Sequence, residues 1–224
     1  TLNVDVNRQN AKAYCMLKEY KTSVNRYEAL KAMGDRSFTT LYYLGVSQYA
    51  DNWPYGARDN LLEAHKKNPM DVNVLYYLAK ACARSSWKEE GIAYMNKAFD
   101  MVVPTDSMMI RLYDGLLECY KFHTKADPYE KIEVMKEAYS YTKKYTLFYQ
   151  IAEIYDYQKD YVNAVHYYEK YMALVPKNKQ AALDDEGNPL PNADTMYQKA
   201  RRRVEKIKVE DFFRNGAHDD YFEW

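Results

Sequence analysis

The sequence predicts an all-α fold built from stacked helix–turn–helix pairs. Three observations carry this. The stretch Phe38–Asp71 holds two runs of helical apolar spacing with a break between them at Asp51-Asn52-Trp53-Pro54. The pattern recurs 34 and 107 residues further on and, more weakly, 34 residues earlier. Finally, 47% hydrophobic residues with only seven Gly and seven Pro fit a chain with a continuous core, not a disordered or collagen-like one.

Within Phe38–Asp71, Leu41, Leu44 and Gly45 share one helix face, and Ala57, Leu61 and Ala64 share another. Pro54 suits the first turn of the second helix, where its missing N–H costs nothing. Asn68-Pro69 ends that helix, because a residue before proline leaves the α region. Gly45, Ala57 and Ala64 are small where two helices must approach closely. One such pair cannot bury its apolar face alone and needs copies stacked on it.

The copies follow. Leu75, Leu78-Ala79, Cys82, Gly91, Met95 and Ala98 repeat the pattern, with Pro104 one place late. Phe148, Ile151-Ala152, Tyr155, Ala164, Tyr168, Tyr171 and Pro176 repeat it again. Asn10-Ala11, Tyr14, Ser23, Tyr27 and Leu30 form a weaker copy. Across roughly residues 4–178 the chain resembles the tetratricopeptide-repeat family, in which a Leu-Gly or Leu-Ala pair, two later small residues and a terminal proline recur at this period. The resemblance implies a right-handed α-solenoid.

Taken in order, residues 1–178 form the array, with repeats at about 4–37, 38–71, 72–105, 106–144 and 145–178. The first is degenerate: Val4–Tyr20 and a shorter Ser23–Met33, with Gly34 as C-cap. In the third, Arg84-Ser85-Ser86 makes the turn and Val103-Pro104 the stop. The fourth diverges by an insertion placed in 122–128, before a helix that Pro128 starts. Such an insertion reads equally as a functional loop or a tolerated surface loop. Residues 179–192 lose all periodicity and read as a loop. Residues 193–224 read as a capping helix, N-capped by Asn192 and running to about Val209, then an aromatic tail. The helix carries Met196, Tyr197, Ala200, Val204 and Ile207 as its apolar stripe. The tail ends in Asp219-Asp220-Tyr221-Phe222-Glu223-Trp224 and is expected to dock on the chain's own body or on a neighbouring copy.

The 32 basic and 32 acidic side chains cancel, which removes any general electrostatic case for nucleic-acid or membrane binding. No apolar run reaches the length of a membrane span. Cys15, Cys82 and Cys119 are odd in number and outside any CxxC, so they read as small buried thiols. The Tyr-, Asn- and Lys-rich usage resembles bacterial members of the family, many of them exported. That leans towards a periplasmic location, with a cytoplasmic one as the alternative.

No catalytic, cofactor or metal constellation emerges. His65, His123, His166 and His218 are scattered without i,i+4 partners. Asp184-Asp185-Glu186-Gly187-Asn188 misses the spacing of a calcium loop. Arg201-Arg202-Arg203, diluted by Glu205 and Glu210, reads as a solvated face. In the family it resembles, the first helix of each pair lines a concave groove. Helical phase points Arg8, Lys12, Tyr42, Tyr49, Tyr76, Lys80, Tyr149, Glu153 and Asp156 there. With 25 tyrosines in the chain, such a face offers broad contact area and hydroxyls for a peptide, although the same rings could simply fill seams between repeats. The carboxylate clamp of some family members would fall on Arg8, Lys12, Tyr43, Asn73 and Tyr77. Only its two basic positions survive, so that activity is not carried over. The expected function is a non-enzymatic scaffold holding a protein or peptide partner. The alternatives are a cell-envelope component that binds a glycan and a structural protein that self-assembles through its tail.

Overall fold

The structure, a computed structural model, describes residues 3–102, 105–181 and 195–215, with only the backbone described at 212, 214 and 215. The described residues are helical throughout their regular structure and divide into two compact units, 1–126 and 127–224. The division falls inside the 122–128 segment where the repeat length breaks.

Unit 1 holds α1 (Val4–Met16), α2 (Tyr20–Ala32), α3 (Phe38–Ala50), α4 (Pro54–Lys67), α5 (Val72–Ala83), α6 (Lys88–Asp100) and α7 (Asp106–Phe122). Helices pair as α1/α2, α3/α4 and α5/α6, and the first helices also touch one another in sequence, α1 to α3, α3 to α5 and α5 to α7. Unit 2 holds α8 (Pro128–Thr142), α9 (Thr146–Tyr157), α10 (Tyr161–Leu174), a 3-10 turn at Lys177–Lys179, and α11 (Met196–Asn215). Each helix there packs on the next, with Ala200, Val204 and Ile207 of α11 buried against α10.

The starts and stops follow local chemistry. Ser37 and Asp71 cap α3 and α5 by accepting the amides of Thr40 and Val74, and Asp160 caps α10 by accepting that of Asn163. Pro54 and Pro128 open α4 and α8. The turn inside a pair recurs in detail. Lys18, Asn52 and Lys159 occupy the left-handed region, with φ of 63°, 62° and 61°. The next amide reaches back to close each turn: Glu19 to Tyr14, Trp53 to Gln48 and Asp160 to Tyr155, at 2.8–2.9 Å. This turn ends α1 at Met16 and starts α2 at Tyr20, earlier than the apolar spacing alone places them. The third pair departs from the form: the Ser85 hydroxyl donates to the carbonyls of Ala81 and Cys82.

Close approach within a pair is made by one glycine facing one alanine, on opposite helices in successive repeats. A Cβ on Gly45 of α3 would sit 3.1 Å from the Ala57 carbonyl oxygen of α4, and 2.5 Å from Leu61 Cγ. One repeat on, a Cβ on Gly91 of α6 would sit 2.9 Å from the Ala79 carbonyl oxygen of α5. The expected core residues Leu41, Leu44, Leu61, Leu75, Leu78, Met95, Phe148 and Ile151 are all buried. The three thiols are free and buried, and burial pushes Cys82 up to about 11 and Cys119 up to about 12.

α11 begins at Met196 and runs to Asn215, beyond the expected end near Val209. The Val103-Pro104 stop, the Asn192 cap, most of the 179–192 loop and the 216–224 tail lie outside the described residues. No described helix is long and apolar enough to cross a membrane, and the described residues contain no group of three His, Cys, Asp or Glu fit to hold a metal.

Candidate functional site

In unit 1 the first helices bring a run of aromatic rings and cations onto one face. Tyr42 of α3 stacks on Phe38 at 5.9 Å and meets Tyr43 and Tyr77 edge-on at 5.0 and 6.3 Å. Tyr77 meets Tyr49 and Tyr76 in the same way. Cations lie over these rings: Lys12 over Tyr43 at 5.1 Å, Lys80 over Tyr49 and Tyr76 at 5.2 and 5.0 Å, and Arg111 over Tyr76 at 4.4 Å. Tyr49 and Tyr76 are themselves buried, whereas Tyr42, Tyr43 and Tyr77 are half-buried, and each cation contact adds roughly 0.5–1 kcal/mol. It also fixes where the positive charge sits.

At the C-terminal ends of α3, α5 and α7 this face opens into a cleft of ≈ 590 Å³, lined by Tyr20, Tyr49, Ala50, Arg84, Glu118, Lys121 and Phe122. One carboxylate organises it. Glu118 of α7 pairs with Lys80 at 2.9 Å and Arg84 at 3.1 Å, and it accepts the Tyr49 hydroxyl. Burial works against the charge on Lys80, but the bond to Glu118 and the neighbouring Tyr76 and Tyr49 lift it above its ordinary range. Burial, reinforced by the Glu118 bond, also raises the Tyr49 phenol, so both groups hold their protons throughout the physiological range.

The residues that helical phase points to a groove divide among three environments. Tyr42, Tyr49, Tyr76, Lys80 and Lys12 lie on the aromatic–cationic face just described. Arg8 is tied instead to Asp35 at 3.0 Å and Asp5 at 2.6 Å, where it anchors α1 to the loop after α2. In unit 2, Tyr149 packs on Tyr168 and Tyr171 at 5.5 and 5.3 Å. Asp156 is held there by two Arg203 guanidinium nitrogens, each at 2.6 Å. Glu153 stands near Lys199, and burial raises its carboxyl. α11 therefore engages this α9 face, and it engages α10 through a Lys208–Glu169 pair at 2.7 Å.

Sequence reasoning missed Arg84, Arg111, Glu118, Lys121 and Phe122. The signal was present: Arg111 and Glu118 stand 34 residues after Tyr77 and Arg84. The insertion that makes the fourth repeat look divergent comes after α7, so the register of α7 itself is intact.

No protein-family model matches this chain, and no curated protein matches it in sequence. Solved structures do match in shape. The C-terminal part of a tetratricopeptide-repeat protein from Cytophaga hutchinsonii is 17% identical with a TM-score of 0.68, over 93% of this chain and 74% of that one. MamA of MSR-1 is 14% identical with a TM-score of 0.63, over 78% of this chain and 97% of that one. YrrB, a tetratricopeptide-repeat protein with an unusual peptide-binding site, is 13% identical with a TM-score of 0.60, over 76% of this chain and 86% of that one. The fold is thus the all-α tetratricopeptide-repeat fold that the period implies.

Proposed function

We propose that this protein is a non-enzymatic interaction scaffold that captures a peptide or protein segment on the first-helix face of unit 1. The observation that carries the reading is the aromatic–cationic run from Tyr42 to Arg84, leading into an open cleft. Tyr42, Tyr43 and Tyr77, half-buried and already immobilised by packing, give contact area at little further entropy cost. Lys12 over Tyr43 and Arg111 over Tyr76 are placed to meet polar groups of a ligand, Arg111 by exchanging its bond to Asn73, whereas Lys80 is paired with Glu118. The resemblance in fold to YrrB, whose own site binds peptide, supports this use of the architecture. The α9 face of unit 2 serves a different purpose in this reading, since Asp156 is committed to Arg203 and joins the body to its last helix.

The test is selection from a displayed random-peptide library on immobilised protein, repeated with Tyr42→Ala/Arg111→Ala. Circular dichroism first confirms that the variant is folded. A consensus enriched by the wild type and lost by the variant is expected. Enrichment of no sequence, or of one consensus by both proteins, overturns the reading.

A further inference from the structure

Three donors from two helices converge on the carboxylate of Glu118. Lys80 and Arg84 come from α5 and its end, and Tyr49 from α3. Three donors around one carboxylate make a built anion site, and α7 of the same chain fills it. The site is not sealed. Glu118, Arg84 and Tyr49 all line the cleft, with the side chains of Glu118 and Arg84 20% and 33% exposed. Charge in and around the cleft is unbalanced. Arg84 and Lys121 line it and Lys80 reaches Glu118 from behind, three cations against the one lining carboxylate, although the whole chain is neutral.

We propose that the captured segment is acidic, and that Glu118 occupies its carboxylate site in the free protein until a partner carboxylate displaces it. The proposal rests on the peptide-capture reading above and adds the ligand class and an intramolecular competitor. Exchanging one carboxylate for another leaves Lys80, Arg84 and Tyr49 paired, so the swap itself is nearly neutral. Binding is driven by what the partner adds, namely contact with Tyr20 and Phe122 and a further acidic group near Lys121. The apparent affinity is lowered by the fraction of time Glu118 fills the site, as for any protein whose binding-competent state is only partly populated. Abolishing the Glu118 charge removes the competitor without removing a donor.

The experiment uses a fluorescein-labelled, C-terminally amidated peptide, Glu-Tyr-Glu-Glu-Tyr-Glu, and its counterpart with every Glu replaced by Gln. Binding is followed by polarisation to the wild type, Glu118→Gln, and Glu118→Gln combined with Lys80→Met and Arg84→Gln. Glu118→Gln is expected to bind the acidic peptide about tenfold more tightly than wild type. The triple variant is expected to lose that gain, and the Gln peptide to show no difference between wild type and Glu118→Gln. Equal or weaker binding of the acidic peptide by Glu118→Gln overturns the proposal. Equal binding of both peptides by every protein also overturns it, while leaving peptide capture itself standing. Should Glu118→Gln fail to fold, Glu118→Asp withdraws the carboxylate by one methylene, and a gain of about threefold is then expected, its absence counting against the proposal.

Discussion

At the scale of single residues, the polar groups inside unit 1 are as specified as the apolar ones. Glu28, Gln48, Asn60 and Lys31 close a chain of hydrogen bonds across α2, α3 and α4, each at 2.7–2.8 Å, with Gln48 and Asn60 buried. Asp35 shows what such residues contribute. Its carboxylate accepts from the Thr40 hydroxyl at 2.6 Å, the Ser37 amide at 3.0 Å and Arg8. Burial alone would raise its pKa, but the Thr40, Ser37 and Arg8 bonds outweigh it and bring the group down to about 2, from an ordinary value of 3.8. A depressed carboxylate stabilises the fold fully above its unfolded pKa and loses that contribution as pH falls through the folded one. Between about pH 4 and pH 2 the wild type should therefore lose about 2 kcal/mol through this group. Asp35→Asn should be less stable at pH 7 and lose correspondingly less over that interval. Melting both proteins across pH 2–7 checks this, and parallel curves would refute it.

At the scale of elements, the glycine–alanine contact sets how closely a pair can pack. Gly91→Ala places its Cβ against backbone on two sides, 2.9 Å from the Ala79 oxygen and 3.1 Å from the Ala83 nitrogen. Backbone cannot rotate aside as a side chain can. The substitution should cost about 1–3 kcal/mol despite the better helix propensity of alanine, measured as a shift in urea midpoint at constant slope. These contacts were legible, because small residues recurring at a fixed place in each repeat mark close approach by their size alone. The boundaries of α1 and α2 were not, because Lys18 takes a left-handed conformation that its identity does not announce. The face that carries the cleft was half legible. Tyr42, Tyr49, Tyr76 and Lys80 follow from helical phase. Arg84 and Glu118 meet only through tertiary packing of α5 and α7, and the position of Glu118 was obscured by treating the whole fourth repeat as divergent. The commitment of Asp156 to Arg203 depends on a helix 47 residues away in sequence, with no periodic relation to α9.

At the scale of the whole molecule, neutrality overall coexists with a positive surplus at one cleft. This separates two responses to salt. With 32 charges of each sign, folding stability has no large net repulsion for salt to relieve. Binding at the cleft does depend on unbalanced charge, and screening shortens its reach from about 14 Å at 0.05 M to about 4 Å at 0.5 M. Raising salt over that range should weaken the acidic peptide by about tenfold, leave the glutamine peptide nearly unaffected and move the melting temperature little. Glu118→Gln should show the steeper salt slope, since its donors face a single carboxylate supplied by the ligand, whereas in the wild type binding exchanges one carboxylate for another. Polarisation titrations at four salt concentrations measure all of these slopes. A wild-type slope equal to that of Glu118→Gln would mean that the acidic peptide engages these three donors in neither protein. The acidic segment would then have to bind elsewhere on the face, with Arg111 and Lys121 the cations left to meet it.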